Sequence, residues 1–278
     1  MAAYASYLAC KTSSFQYILN HLNAVRLLHH YNGFPAAALD SFEVTLTKRS
    51  LKRLLGTGSR QKHPITPSIL HLLRQHLNLD LPPHAAVWAL FCTAFFSFLR
   101  KSNLTVASGG SFDPSRHLAR RDTKFTKSGA VLCIRWTKTR QQKEGLLLIP
   151  LPLIPGSALC PVSALLHYFT IVPASSSAPL FCLPSQSGVR PLTFSIFSAS
   201  LKHLISAIGL DPQHFSPHSF RRGGATFAFQ SGVPEHLIKL HGDWRSDAFR
   251  AYLTLPLTMR SQVADIMAAG LFSHCDTS

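Results

Sequence analysis

At about 150 residues per domain, a chain of 278 residues holds one large domain or two modest ones. Apolar residues make up 46% of it, enough for a real core and too many for a disordered chain. Charged residues are only 14%, yet 28 Lys and Arg face 12 Asp and Glu, and the resulting net charge of +16 favours polyanions such as nucleic acid or acidic lipid.

Residues 4–31 read as helical, with Tyr17, Ile18, Leu22, Val25 and Leu28 at three-to-four spacing. Asn32-Gly33-Phe34-Pro35 ends that pattern, and a second helical stretch over 36–55 carries Lys48, Arg49, Lys52 and Arg53. The run from Gly56 to Pro64 is polar, basic and glycine-bearing, the composition of a linker. The expected division is therefore a small helical domain over 1–57, a linker over 58–64 and a larger domain over 65–278. Thr66-Pro67 fits an N-cap followed by proline at the first helical position, which starts a helix over 67–77.

Pro82-Pro83 precedes an apolar helix that is expected to end at Arg100. Its apolar run, Ala85 to Leu99, is fifteen residues long and contains Thr93 and Ser97. A bilayer needs about 20, so this is a core helix and no membrane partner is expected. Residues 131–136 and 145–149 read as the two strands of a hairpin across the polar connector 137–144, while the proline- and serine-rich stretches 152–157 and 172–187 read as loops. Helices are expected over 161–170, 192–208, 218–230, 233–241, 246–253 and 258–270. The class is α+β, mostly α, with a small β insertion. The six cysteines form no CxxC pair, so neither a metal site nor a disulfide framework is expected. Reduced thiols and the lack of a basic, apolar leader at the N-terminus suggest an intracellular protein.

The segment His218-Ser219-Phe220-Arg221-Arg222-Gly223-Gly224-Ala225-Thr226 carries the chemistry. On a helix His218 and Arg221 project from one face and can grip one phosphate, Arg as a planar fork and His as donor or proton carrier. The small residues that follow allow close packing on a neighbour. Taken singly, each residue has a plainer explanation: Arg100 favoured by a helix C-terminus, His218 packed or capped, Tyr252 part of an apolar helix face. Their order along the chain argues against coincidence. Arg100 follows the apolar helix, Thr137-Lys138-Thr139-Arg140 lies in the hairpin, and Leu240-His241-Gly242-Asp243-Trp244 leads to Tyr252 ten residues after Gly242.

This ordered set resembles the tyrosine recombinase (phage integrase) family, over roughly residues 64–270, and is similar in flavour to eukaryotic mobile-element recombinases. The resemblance implies an integrase-like catalytic domain preceded by a partial helical core-binding (SAM-like) domain. It also implies that Tyr252 attacks a DNA phosphodiester to form a 3′-phosphotyrosyl link, with Arg100 and Arg221 on the non-bridging oxygens and Lys138 as acid to the leaving oxygen. Lys138 is preferred to Arg140 and Lys143 because it abuts the strand. His218 serves as donor or relay, and no metal or other cofactor is required. Lys48, Arg49, Lys52, Arg53, Arg60 and Lys62 become candidate DNA contacts, with Arg116, Arg120, Arg121, Lys124 and Lys127 suited to the phosphate backbone. The implied partners are double-stranded DNA and further copies of the chain in a homo-oligomer, a tetramer on two duplexes. The tail, with Val263, Ile266 and Leu271, is expected to pack on a neighbouring subunit, and a eukaryotic host would place the protein in the nucleus. One position departs from the pattern: Asp243 stands where the family has His or Trp, and an ionised Asp accepts hydrogen bonds only. Trp244 and His241 are the candidate substitutes. The departure keeps open an alternative, a catalytically lapsed DNA-binding protein derived from a mobile element.

Overall fold

The computed structural model describes residues 1–56, 62–137, 145–253 and 265. The chain forms two compact units, Met1–Gln61 and Lys62–Ser278. Among the described residues no helix is long and apolar enough to cross a membrane.

In the first unit the helical signal of residues 4–31 divides into α1 (Ala2–Lys11) and α2 (Phe15–Tyr31). The cause is local: Thr12 is extended, and the Ser14 side chain accepts the amide of Tyr17, a cap that begins a new helix. The stretch 36–55 is also shorter than expected. A 3-10 turn, Ala37–Leu39, comes first, and Ser41 then caps α3 (Phe42–Leu55) through the amide of Val44. Ala5, Leu8, Ile18, Leu22 and Leu51 make a small core from the three helices. On α3, Arg49, Lys52 and Arg53 are exposed and Lys48 is half-buried.

The second unit is built around α5 (Pro82–Ser97), preceded by α4 (Pro67–Gln75), whose N-cap Thr66 accepts the amide of Ile69. Pro82 and Pro83 lie inside the first turn of α5 rather than before it, where their missing amides cost nothing. Residues from Ala85 to Phe95 are buried around the whole circumference of the helix. It ends at Ser97, not at Arg100, because Phe98 turns left-handed at φ +52°. Arg100 then takes the N-cap position of the one-turn helix α6 (Lys101–Leu104), with no side-chain cap.

The β insertion is larger than a hairpin. Strands β1 (Thr123–Thr126), β2 (Gly129–Ile134) and β3 (Leu147–Pro152) form an antiparallel sheet in that order, with Leu132 opposite Ile149. Pro150 and Pro152 belong to β3, which tolerates them as an edge strand while Leu147, Ile149 and Leu151 point inward. Helix α7 (Pro161–Ile171) packs on α5, and a two-stranded ribbon, β4 (Cys182–Ser185) with β5 (Gly188–Pro191), occupies part of a stretch expected to be loop. Helices α8 (Phe194–Ala207), α9 (His218–Gln230) and α10 (Glu235–His241) fall close to expectation, whereas 246–253 forms a 3-10 helix, Asp247–Tyr252. The helix expected over 258–270 lies outside the described residues, Asp265 aside.

Gly223 and Gly224 set the approach of α9. A Cβ on Gly223 would lie 1.8 Å from the carbonyl oxygen of Ile65, and one on Gly224 2.0 Å from that of Phe95. Neither oxygen is a side-chain end that can swing aside. Gly224→Ala is therefore expected to lower stability by about 2–3 kcal/mol, read as a shift in the urea unfolding midpoint. Gly110→Ala, facing open space, should leave the midpoint in place.

Candidate active site

The last turn of α5 leaves carbonyls without helical partners, and two side chains from other elements reach them. Arg221, on α9, donates from Nη1 to the carbonyl of Phe98, and from Nη2 to that of Gly242 at 2.8 Å. His241, at the end of α10, sits 2.9 Å from the carbonyl of Phe96, so its Nε2 carries the hydrogen. A cation at a helix C-terminus is also favoured by the macrodipole. The Arg221 guanidinium lies 3.7 Å from the centre of the Trp244 ring, and its side chain is 1% exposed. Gly242 is required beneath it, since a Cβ there would come within 1.6 Å of the Trp244 ring.

Around Arg221 the structure gathers four of the sequence candidates. Burial lowers the pKa of Arg221, the positive charge of Arg100 lowers it further, and Tyr252 and Asp243 draw it back up. His218 is lowered first by the protein around it, then by Arg221, Arg100 and Arg222. Burial is the larger cause of both shifts, and the smaller one, repulsion among neighbouring positive groups, is a cost that a bound anion relieves. His218 Nε2 is 2.9 Å from the hydroxyl of Tyr252, with the two rings 5.2 Å apart and edge to face.

Tyr252 is held at both ends by α9, since Thr226, two turns beyond His218, donates its hydroxyl to the Tyr252 carbonyl. The turn that carries Tyr252 rests on a small core of Phe98, Ala225, Ile238, Trp244 and Phe249, with Trp244 and Phe249 ring centres 5.8 Å apart. Exposed ion pairs also tie it to α10, Lys239 to Asp247 at 2.8 Å and Arg250 to Glu235 at 3.0 Å. Such pairs contribute at most about 1 kcal/mol each. Burying Phe249 contributes about 1.5–3 kcal/mol, so packing is the main tether.

Other candidates take different places. Lys138 and Arg60 lie outside the described residues. The Lys62 ammonium donates to the carbonyl of Gln213 at 2.5 Å. Arg120 is not a surface contact: it is buried, donates to the carbonyl of Val172, and has its guanidinium 5.0 Å and 4.4 Å from the Tyr168 and Phe169 ring centres. Both residues named as substitutes for Asp243 make other contacts. His241 is committed to Phe96, and Trp244 presents its face to Arg221. Asp243 itself adopts φ +52° and accepts the hydroxyl of Thr137 at 2.8 Å. Thr226, Thr137 and Phe98 were missed because their roles are hydrogen bonds and carbonyl directions, which no residue type announces.

The fold is that of tyrosine-recombinase catalytic domains. It is similar to the Tn1549 transposon integrase in complex with transposon right-end DNA, at a TM-score of 0.62 and 14% identity over 96% of this chain and 84% of that one. It also resembles the XerH site-specific recombinase bound to difH substrate, at a TM-score of 0.52 and 15% identity over 82% and 66% of the two chains. In sequence the chain is similar to a curated integrase/recombinase, a xerD homolog of Selenomonas ruminantium, at 26% identity over 186 residues, 66% of this chain and 51% of that protein. The chain thus spans about half the length of that relative. No family model matches.

Proposed function

We propose that this chain cleaves and rejoins double-stranded DNA through Tyr252. The observation that carries the reading is the convergence of Arg100, His218, Arg221 and Tyr252, from three separated segments, on one positively charged cradle beside a phenol. Neutral His218 accepts the phenol proton through Nε2 as Tyr252 attacks phosphorus. Arg100 and Arg221 stabilise the charge that develops on the non-bridging oxygens. The bond to the 5′ oxygen breaks, and that oxygen takes a proton from Lys138, the acid that the family resemblance implies. One phosphodiester is exchanged for a 3′-phosphotyrosyl ester, so rejoining needs no external energy source. The basic face of α3, with Lys48, Arg49, Lys52 and Arg53, serves as a sequence-independent contact to the backbone within a core-binding domain. Assembly as a tetramer on two duplexes, and action inside the cell, in the nucleus of a eukaryotic host, belong to the same reading.

The direct test is covalent capture. A duplex nicked just beyond the cleavage site loses its short 5′-hydroxyl fragment, so a competent protein should remain on the DNA through Tyr252. The peptide containing Tyr252, recovered after nuclease digestion, should carry the nucleotide mass. Failure to capture any suitable duplex would leave the lapsed, DNA-binding alternative.

A pH profile tests the role of His218. Its lowered pKa keeps it neutral, and able to accept a proton, to a lower pH than an ordinary histidine at 6.5. At sub-saturating DNA, where the rate reports the free protein, cleavage should hold through neutral pH and fall only below 6.5. His218→Gln should remove that acid limb and slow cleavage by about 10²–10⁴. An unchanged limb would show that another group titrates.

A further inference from the structure

Tyr252 closes the 3-10 helix Asp247–Tyr252, and the last carbonyls of a helix run out of partners within it. A donor comes from α9. Thr226, 6% exposed, directs its hydroxyl to the carbonyl of Tyr252, 26 positions along the chain. A threonine inside a helix ordinarily returns that hydroxyl to a carbonyl of the preceding turn. Here it crosses to another element, to the residue that carries the phenol.

This bond supplies what packing does not. Phe249 is buried three residues before Tyr252, and the ion pairs start from Asp247 and Arg250, so these anchors act upstream of the nucleophile. Apolar contact is also non-directional and leaves a backbone free to turn in place. A hydrogen bond fixes a direction. Any rotation of the Tyr252 backbone is magnified at the hydroxyl, the far end of the side chain, where His218 Nε2 lies at 2.9 Å. His218 and Thr226 are eight residues apart on α9, about 12 Å along its axis, so one helix sets the hydroxyl and the carbonyl of Tyr252 together.

From this geometry we infer that Thr226 is a positioning residue for the nucleophile: through the Tyr252 carbonyl it holds the phenol against His218, beside the arginine cradle. The inference rests on the reading of Tyr252 as the nucleophile. Attack requires the phenol oxygen about 3–3.5 Å from phosphorus and aligned with the bond that breaks. A loosely held phenol reaches that arrangement only a small fraction of the time. Thr226 therefore acts on the rate of cleavage and not on the affinity for DNA.

The first half of the experiment needs no DNA. Tyrosine labelled with ¹³C at Cζ gives six signals, and the one lost in Tyr252→Phe belongs to Tyr252. Its position reports the hydrogen bond at the hydroxyl. Thr226→Val keeps the branched shape and removes the donor, whereas Thr226→Ser keeps the donor. The Tyr252 signal should stay in place in Thr226→Ser and move toward that of free tyrosine in Thr226→Val. In the second half, capture on nicked DNA is followed in single turnover. Thr226→Val should slow capture about tenfold or more, with DNA affinity unchanged, and Thr226→Ser should recover most of the rate. Thr226→Val combined with His218→Gln should slow capture by less than the product of the two single effects, because His218 takes a proton only from a phenol held beside it. A Tyr252 signal that Thr226→Val leaves in place would overturn the inference. So would capture by that variant at the unchanged rate, or single effects that simply multiply, the mark of damage to α9 rather than to the placement of Tyr252. If the unchanged protein captures no DNA, the reading of Tyr252 fails and takes the inference with it, an outcome told apart from the others because the Tyr252 signal would still respond to Thr226→Val.

Discussion

Tyr252→Phe is expected to abolish covalent capture of DNA while leaving DNA affinity within a few-fold of the unchanged protein. The substitution removes one oxygen and little else. The ring keeps its place 5.9 Å from Trp244 and 5.2 Å from His218, and the Thr226 hydroxyl still holds the backbone. The lost hydrogen bond to His218 is worth about 0.5–1.5 kcal/mol, too little to unfold the unit. Phosphate contacts from Arg and Lys, which dominate affinity for DNA, remain. The comparison is made on a denaturing gel for the adduct and by fluorescence anisotropy for binding. An adduct formed by the Phe variant would place the nucleophile elsewhere in the chain.

Arg221→Lys is expected to lose both stability and rate, although charge is conserved. A single ammonium cannot donate along the fork directions of a guanidinium and lie flat on an indole as well. The carbonyls of Phe98 and Gly242, both buried positions, would lose their donors. Each buried acceptor left without a partner costs about 1–3 kcal/mol, so a loss of about 2–4 kcal/mol in unfolding free energy is expected. Removing a donor to the developing charge should slow cleavage by a further factor of about 10²–10³. Arg100→Lys separates the two effects, because Arg100 is only half-buried. It should slow cleavage with a stability change within about 0.5 kcal/mol. Cleavage by Arg221→Lys at the unchanged rate would remove Arg221 from the chemistry and leave it a structural role.

The legible parts of this molecule share a short range. Helix α9 was readable to its bounds because its spacing, its glycines and its polar start lie within a few residues of one another. The signal for α4 was as local, a threonine cap and a proline in the first turn. The helix breaks near the N-terminus are also local, set by the caps Ser14 and Ser41; the first lies inside the continuous apolar spacing of residues 4–31, which hides it. Strand β3 was cut short for a different reason: a proline ends an interior strand but not an edge strand, and only the sheet order says which β3 is. In sequence Arg120 resembles its basic neighbours, and only the packing places it against Tyr168 and Phe169.

By itself the sequence determined the fold class and put forward an ordered set of candidate phosphate-handling residues, since composition, period and spacing all act along the chain. Tertiary structure alone decided which of those groups face one another. It turned His241 toward Phe96, set Arg221 over the Trp244 ring, and paired Asp243 with Thr137 across 106 residues. Such pairings depend on how helices and turns pack at a separation of a few ångströms, and residue type leaves the direction of a side chain undetermined until that packing is complete.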